Sequence, residues 1–222
     1  MSKTGVVIVG AGSSQRMGTD KVFMSLAGKP LLAWSVDVCQ RCEMVDQIVI
    51  VLNESKLNLG WKLVAERGWS KVTEVCPGGD RRQDSVRQGL DKLRGCDRVL
   101  IHDGARPFLT LDLIDNGLKT AQATGSAVAA VPVKDTVKVG GNDLMVRETL
   151  NRQELWAVQT PQVFHFDIIT EAHQQVESDV TDDASMVEQL GHKVKLYMGS
   201  YDNIKITTPE DLALAELIAG KK

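Results

Sequence analysis

The sequence predicts a doubly wound α/β fold, in which helices cover both faces of a mostly parallel sheet. Short runs rich in β-branched residues alternate with longer amphipathic stretches along the chain. The short runs are almost entirely apolar rather than alternating, which is typical of parallel strands buried on both faces. The predicted strands are residues 6–9, 47–52, 71–75, 98–101 and 127–131. The predicted helices are residues 30–44, 56–67, 82–93 and 111–123.

A last helix begins after Thr208. Thr208 is a good N-cap residue, Pro209 suits the first helical position, and Glu210 and Asp211 complement the positive end of the helix dipole. No internal repeat, low-complexity tract or linker divides the 222 residues. We therefore expect a single domain over residues 1–222, a length that can bury one sizeable core.

The segment of about residues 133–158 departs from the strand–helix alternation. Two short extended runs, one from Thr136 and one from Leu144, flank a turn that contains Gly140 and Gly141. This pattern predicts a protruding β-hairpin arm. Because an arm that leaves a compact domain must bury its apolar side chains elsewhere, we expect it to form a homodimer.

Composition and charge exclude several classes of protein. The chain is 43% hydrophobic and 25% charged, with a formal net charge of −3, which argues against a dedicated nucleic-acid binder. The apolar run near the amino terminus, residues 6–9, is too short for a signal segment or a membrane span, so we expect a cytoplasmic protein with no membrane association. Cys39 and Cys42 have C-x-x-C spacing but lie in a predicted helix without a second pair, which favours structural thiols over a metal site.

The first predicted strand leads into Gly10-Ala11-Gly12, followed by Arg16 and Lys21. Small residues let backbone N–H groups approach phosphate oxygens, and the two basic side chains supply positive charge. The segment therefore predicts a phosphate-binding loop. Arg16 and Lys21 are the candidates for stabilising negative charge that develops on a reacting phosphate.

A dinucleotide-binding loop is the alternative interpretation of these glycines. The G-x-G-x-x-G pattern would need a third glycine at position 15, where the sequence has Gln15. It also expects an acidic residue at the end of the second strand, where the sequence has Asn53. Both departures argue against an oxidoreductase that binds NAD(P).

Two further segments follow predicted strands. Gly79, Asp80 and Ser85 lie where a strand meets a helix, a place that suits close approach to a nucleotide. Asp103 and Arg106 follow the strand at 98–101, and open α/β sheets bind ligands at the carboxyl ends of their strands. Asp103 has the hard oxygen that Mg²⁺ prefers, and Arg106 can pair with a substrate phosphate.

Eight segments together identify a family. They are GAGSSQRMG at 10–18, Lys21, GGDRRQDSV at 78–86, HDGARP at 102–107, PVKDTVK at 132–138, NRQELWAVQTPQVF at 151–164, TDDAS at 181–185 and DNIKIT at 202–207. In these segments, and nearly end to end, the chain resembles the 2-C-methyl-D-erythritol 4-phosphate cytidylyltransferases of the non-mevalonate isoprenoid pathway. The resemblance implies a Rossmann-like nucleotidyltransferase fold and Mg²⁺-dependent transfer of CMP from CTP to methylerythritol phosphate, with release of pyrophosphate.

The resemblance also implies roles for individual residues. Arg16 and Lys21 match the pair that stabilises the α-phosphate during in-line attack, and Asp103 matches the carboxylate near Mg²⁺. The nucleotide-binding positions are Gly10, Ala11, Gly12, Gly79, Asp80, Ser85 and Gly104. The substrate-binding positions are Asp103, Arg106, Thr136, Arg152 and Lys205. In the family, Thr136 and Arg152 belong to the arm and reach the site of the partner subunit.

Other functions remain open at this point. A cytidylyltransferase acting on ribitol 5-phosphate or another polyol or sugar phosphate would share the nucleotide half of the site. The segment from Pro132 to Gln162, with Thr136 and Arg152, favours the methylerythritol type. A nucleotide-sensing module without catalysis is the third candidate, and the presence of Arg16, Lys21 and Asp103 together argues against it.

Overall fold

The computed structural model describes residues 2–12 and 21–221. In chain order the strands are β1 (Thr4–Val9), β2 (Ser25–Leu26), β3 (Lys29–Pro30), β4 (Gln47–Leu52), β5 (Val72–Pro77), β6 (Arg98–Asp103), β7 (Ser126–Pro132), β8 (Lys138–Gly140), β9 (Val146–Thr149), β10 (Trp156–His165) and β11 (Lys195–Met198). The helices are α1 (Leu31–Arg41), α2 (Leu57–Arg67), α3 (Arg82–Leu90), α4 (Leu111–Thr124), α5 (Phe166–Gln175), α6 (Asp183–Gln189) and α7 (Pro209–Ala219).

Seven strands form one central sheet in the order β11-β7-β10-β6-β1-β4-β5. Neighbouring strands run parallel except at β10, which is antiparallel to both β6 and β7. The fold is therefore the predicted doubly wound, mostly parallel α/β fold. The predicted strands and helices are present, with ends that differ by a few residues.

The core lies on both faces of this sheet. Side chains of α1, α2 and α4 pack with Val6 and Ile8 of β1 on one face. Those of α3, α5 and α6 pack with Val7 of the same strand on the other face. Successive residues of a strand point to opposite faces, so a strand that is covered on both sides has to be apolar throughout.

Strand β10 is a feature that the sequence pattern does not predict. Its residues Gln159, Thr160 and Gln162 are polar, yet all three are buried. Its register with β7 shifts between Val158 and Gln162, and Pro161 lies at this irregularity, where a proline costs no ladder hydrogen bond. Thr160 lies within this irregularity, and its side-chain hydroxyl takes part in the site described below.

The last helix begins as predicted, since the Thr208 hydroxyl accepts a hydrogen bond from the Asp211 amide and the Asp211 carboxylate accepts one from the Thr208 amide. The four cysteines are buried free thiols. Over residues 2–12 and 21–221, no helix combines the length and apolarity needed to cross a bilayer.

The predicted hairpin is formed by β8 and β9, which pair antiparallel to each other. Leu144, Met145 and Val146 are 90%, 66% and 60% exposed around its turn. Trp156 to Val158, which the sequence analysis counted with the arm, instead pair with β7 in the central sheet. The arm thus carries exposed apolar side chains, and its role in dimerisation stays a prediction.

Candidate active site

The carboxyl ends of β1, β5 and β6 surround a cavity of about 170 Å³. Its lining includes seven residues that the sequence analysis assigned to the site, and these are Gly10, Gly12, Lys21, Asp80, Ser85, Asp103 and Lys205. Arg81 and Arg82 also line it. Segments that lie far apart in the sequence therefore meet at one edge of the sheet, as the topology of an open α/β fold requires.

Asp103, the last residue of β6, is the charged centre of this cavity. Its Oδ2 atom lies 2.8 Å from Lys205 Nζ and 3.9 Å from Arg106 Nε. Its Oδ1 atom accepts a hydrogen bond of 3.1 Å from Arg82 Nε. One nearly buried carboxylate is thus shared by three cationic side chains.

These cations decide the ionisation of the carboxylate. Burial by itself would raise the pKa of Asp103, but the charges of Arg82 and Lys205 outweigh it and hold the pKa well below its usual range. Asp103 is therefore ionised at neutral pH. Arg82, Arg106 and Lys205 outnumber the carboxylates of Asp103 and Asp183 that they contact, and this excess of positive charge favours binding of a phosphate group.

His102 and Thr160 fix the backbone that carries Asp103. The Asp103 amide donates to Thr160 Oγ1 at 3.0 Å, and the Thr160 hydroxyl lies 3.0 Å from His102 Nδ1. His102 Nε2 lies 3.0 Å from the carbonyl oxygen of Arg106. Since that carbonyl can only accept, the ring carries its proton on Nε2 and the Thr160 hydroxyl donates to Nδ1. Burial lowers the pKa of His102 to about 4, so the ring is neutral.

Arg82 lines the cavity but is not among the residues that the sequence pattern predicts for the site. Besides its contact with Asp103, its Nη1 atom donates to Asp183 Oδ2 at 2.7 Å. Arg81 and Arg82 stand at the start of α3, although positive charge is unfavourable at a helix N-terminus. That unfavourable placement is the signal in the sequence by which Arg82 could have been identified.

Glycines let the first loop approach helix α3. A Cβ atom placed on Gly78 would lie 2.3 Å from Ala11 Cβ and 2.6 Å from Ser85 Oγ. The neighbouring Gly79 amide donates to Ser85 Oγ at 3.1 Å. The close approach of Gly78 to Ala11 and this hydrogen bond bring the loop after β1, the turn after β5 and the start of α3 together at the cavity.

Four of the remaining predicted residues lie in two different places. Gly104 and Arg106 follow Asp103, and Arg106 Nη1 donates to the carbonyl oxygen of Asn203 at 2.7 Å. Thr136 and Arg152 are exposed on the arm, where Arg152 Nη1 donates to the carbonyl oxygen of Lys134, and neither lines the cavity within the described part of their own chain. Arg16 lies outside the described residues.

The fold and the site together define an α/β enzyme of the nucleotidyltransferase class. A mostly parallel sheet presents small residues, lysines and arginines at one carboxyl edge, where phosphates bind.

The chain belongs to the 2-C-methyl-D-erythritol 4-phosphate cytidylyltransferase family, whose model matches residues 4–221. A cytidylyltransferase of that name from Dehalococcoides mccartyi strain 195 is 51% identical over 220 residues, covering 99% of this chain and 97% of the relative. Another from Alkaliphilus oremlandii is 45% identical, covering 98% and 95% of the two chains.

Solved structures agree with this assignment. The 4-diphosphocytidyl-2C-methyl-D-erythritol synthase of Anaerococcus prevotii superposes with a TM-score of 0.88 at 28% identity, over 99% of both chains. The 2-C-methyl-D-erythritol 4-phosphate cytidylyltransferase of Thermus thermophilus gives a TM-score of 0.79 at 31% identity, covering 96% of this chain and 98% of that one.

Proposed function

We propose that the enzyme transfers CMP from CTP to 2-C-methyl-D-erythritol 4-phosphate, releasing pyrophosphate. The observation that carries this proposal is the cluster in which Lys205, Arg106 and Arg82 surround Asp103. Lys205, Arg82 and Asp103 line one cavity together with Lys21. The family membership supports the choice of both substrates.

The two sides of the cavity suit the two phosphorylated substrates. Gly10, Gly12 and Ser85 line the side formed by the first loop and α3, which suits a nucleotide that approaches backbone amides. Lys205 and Arg106 lie beside Asp103, where they can hold the phosphate of methylerythritol phosphate.

The chemistry is in-line attack by a phosphate oxygen on the α-phosphorus of CTP. The new P–O bond forms as the bond to pyrophosphate breaks, and the electron pair of that bond leaves with pyrophosphate. A phosphate dianion is already a nucleophile at neutral pH, so no general base is needed. Lys21 and Arg16 supply the positive charge that stabilises the transition state, and catalysis consists of positioning and charge compensation.

Magnesium fits this site as a cation that arrives with the triphosphate. In the described ranges, no group of three or more His, Cys, Asp or Glu side chains could hold a metal by itself. Asp103 could bind the ion through one carboxylate oxygen, which would then give up its contact with a cationic side chain. Phosphate and water oxygens would supply the other ligands of the ion. When bound, Mg²⁺ neutralises charge on the phosphates.

We further propose that the enzyme works in the cytoplasm as a homodimer joined through the arm. The exposed apolar side chains around Leu144 support the dimer, because such a surface is stabilised when a partner covers it. Thr136 and Arg152 would then complete the phosphate side of the partner's site, in accordance with their exposed positions.

Pyrophosphate release tests the function directly. It should be measured with CTP, UTP, ATP and GTP as donors, and with methylerythritol phosphate and ribitol 5-phosphate as acceptors. We expect turnover with CTP and methylerythritol phosphate. A preference for ribitol 5-phosphate would replace the proposed acceptor, and absence of pyrophosphate release with every pair would reject catalysis.

Two variants test the roles of the catalytic pair. Lys21→Ala and Arg16→Ala should each lower kcat by roughly 10²–10³-fold, the usual effect of losing one group that stabilises transition-state charge. Lys119→Ala is the matched control, since Lys119 pairs with Asp115 on the exposed surface of α4, away from the cavity. Near-normal turnover in either variant would remove the proposed mechanism.

A further inference from the structure

Arg82 joins the cavity to a second, buried carboxylate. Its guanidinium group donates from Nε to Asp103 Oδ1 at 3.1 Å and from Nη1 to Asp183 Oδ2 at 2.7 Å. The side chains of Asp103 and Asp183 are only 9% and 1% exposed. A single arginine therefore bridges the wall of the site and the interior behind it.

Asp183 depends on Arg82 for its charge. Burial would raise the pKa of Asp183, but the charge of Arg82, together with the nearby His173, outweighs this effect and lowers the pKa. The other carboxylate oxygen, Oδ1, is 3.6 Å from His173 Nε2 and has no hydrogen-bond partner in the described part of the chain. A fully buried carboxylate costs much free energy unless it is paired, and Asp183 is paired with Arg82.

We propose that Asp183 is a positioning residue for the transfer reaction, acting through Arg82 on Asp103 and Lys205. This inference rests on the proposed function, in which Arg106 and Lys205, beside Asp103, hold the acceptor phosphate. Asp183 lies behind the cavity rather than in its lining, and Arg82 is the link between the two.

The geometry explains how this control works. Arg82 is planar, and its Nε and Nη1 donors are directed at two different carboxylates, so its orientation is set by both. If Asp183 loses its charge, the guanidinium is free to turn and pair more closely with Asp103. Asp103 then turns from Lys205, whose Nζ atom lies 2.8 Å from Oδ2, and the lysine loses the partner that aims it at the acceptor phosphate.

The charge balance supports the same conclusion. The cluster contains three cationic side chains and two carboxylates, which are Arg82, Arg106, Lys205, Asp103 and Asp183. With Asp183 present, part of the Arg82 charge is neutralised away from the cavity. Lys205 and Arg106 contact Asp103 through Oδ2, whereas Arg82 contacts Asp103 through Oδ1. The positive charge that can bind the acceptor phosphate is therefore on Lys205 and Arg106.

The test is Asp183→Asn, which keeps the shape of the side chain and removes its charge. Steady-state kinetics should be measured with CTP and methylerythritol phosphate, with active sites counted by CTP binding. We expect the KM for methylerythritol phosphate to rise about 10-fold, a change of about 1.4 kcal/mol. The KM for CTP should stay within about 2-fold, because the nucleotide side of the cavity keeps its contacts.

Asp182→Asn is the matched control. Asp182 is the N-cap of the same helix, accepting from the Ser185 amide, and asparagine caps equally well. It also contacts Gln162 rather than Arg82. If Asp183 only stabilised α6, Asp183→Asn would lower the melting temperature and the number of active sites. Both KM values would then equal those of Asp182→Asn, and this result would overturn the inference.

Arg82→Lys tests the same bridge if Asp183→Asn fails to fold. Lysine keeps the charge but has one nitrogen, which cannot reach both carboxylates. The same selective rise in the KM for methylerythritol phosphate is expected, and unchanged KM values would reject the bridge. Wild-type enzyme is assayed in parallel, so absent wild-type turnover rejects the proposed function, whereas normal wild-type turnover with unchanged variants rejects only the role of Asp183.

Discussion

Lys205 Nζ lies 2.8 Å from Asp103 Oδ2, and this ion pair joins a loop near the end of the sequence to the end of strand β6. The carboxylate is nearly buried, whereas the lysine side chain is 38% exposed. Lys205 is therefore held in place by Asp103 and still accessible to a ligand in the cavity. This combination is what a residue needs to bind a phosphate in a fixed orientation.

Lys205→Met should weaken acceptor binding. It keeps the aliphatic stem and removes a charge-assisted hydrogen bond, so the KM for methylerythritol phosphate should rise roughly 10–100-fold. Folding should be little affected, because Asp103 keeps Arg82 and Arg106 as partners. Steady-state kinetics check this, with Lys119→Met on the exposed face of α4 as the control. A KM equal to that of the wild type would show that Lys205 does not contact the acceptor.

His102 should make the free energy of unfolding depend on pH in mildly acidic solution. Burial lowers its pKa from 6.5 to about 4 in the folded protein. The unfolded chain takes up a proton as the pH falls below 6.5, and the folded protein does not until the pH approaches 4. The contribution of His102 is thus fully present above pH 6.5 and is lost between there and pH 4, by as much as about 3 kcal/mol.

Urea unfolding at several pH values between 7 and 4 measures this dependence. His102→Gln cannot take up the proton, so its free energy of unfolding should fall less steeply with decreasing pH than that of the wild type. The slope is the criterion, since the variant also loses hydrogen bonds and is less stable at every pH. His192→Gln controls for removal of an imidazole, and equal slopes in wild type and His102→Gln would contradict the prediction.

Gly78→Ala should disturb the nucleotide side of the cavity. The added Cβ would lie 2.3 Å from Ala11 Cβ and 2.6 Å from Ser85 Oγ, so the first loop and α3 must separate. We expect a KM for CTP roughly 10-fold higher and a loss of stability of about 1–3 kcal/mol from overpacking. Gly220→Ala is the control, since its Cβ would make only an ordinary contact of 3.5 Å with Glu216 O. Unchanged CTP kinetics would show that the contact is not tight.

The parallel strands could be predicted because each is a short apolar run, and the sequence shows such runs directly. Strand β10 could not, because Gln159, Thr160 and Gln162 are buried through hydrogen bonds rather than by apolar character, and Pro161 interrupts the run. Polar residues that are satisfied by distant partners leave no periodic pattern in a sequence.

The candidate site likewise contains residues that the sequence predicts and residues that it does not. Gly10 and Asp103, which follow or end strands, and the basic Lys21 could be predicted to meet in one cavity, because the topology of the fold brings strand ends together. Asp183 was not identified, since it meets Arg82 across 101 positions of sequence and lies on a helix that was not predicted. Ion pairs of this kind depend on tertiary packing.

The arm can be tested by combining two inactive chains. If Arg152 acts in the partner's site, a Lys21→Ala chain paired with an Arg152→Ala chain has one site that lacks both side chains and one that is intact. The two chains are co-expressed with different tags, and the mixed dimer is purified by two affinity steps. It should show about half of the wild-type activity, because one of two sites works, whereas each variant alone is nearly inactive.

Light scattering and a second variant complete this test. The wild type should have the mass of a dimer, and Leu144→Asp, which places a charge on a side chain that is 90% exposed in the isolated chain, should shift it toward the monomer. Asp143→Asn, next to it in the same turn, should not. A mixed dimer without activity would place Arg152 in the site of its own chain, and an Arg152→Ala homodimer with normal activity would place it in neither site. A wild-type monomer would remove the role of the arm altogether.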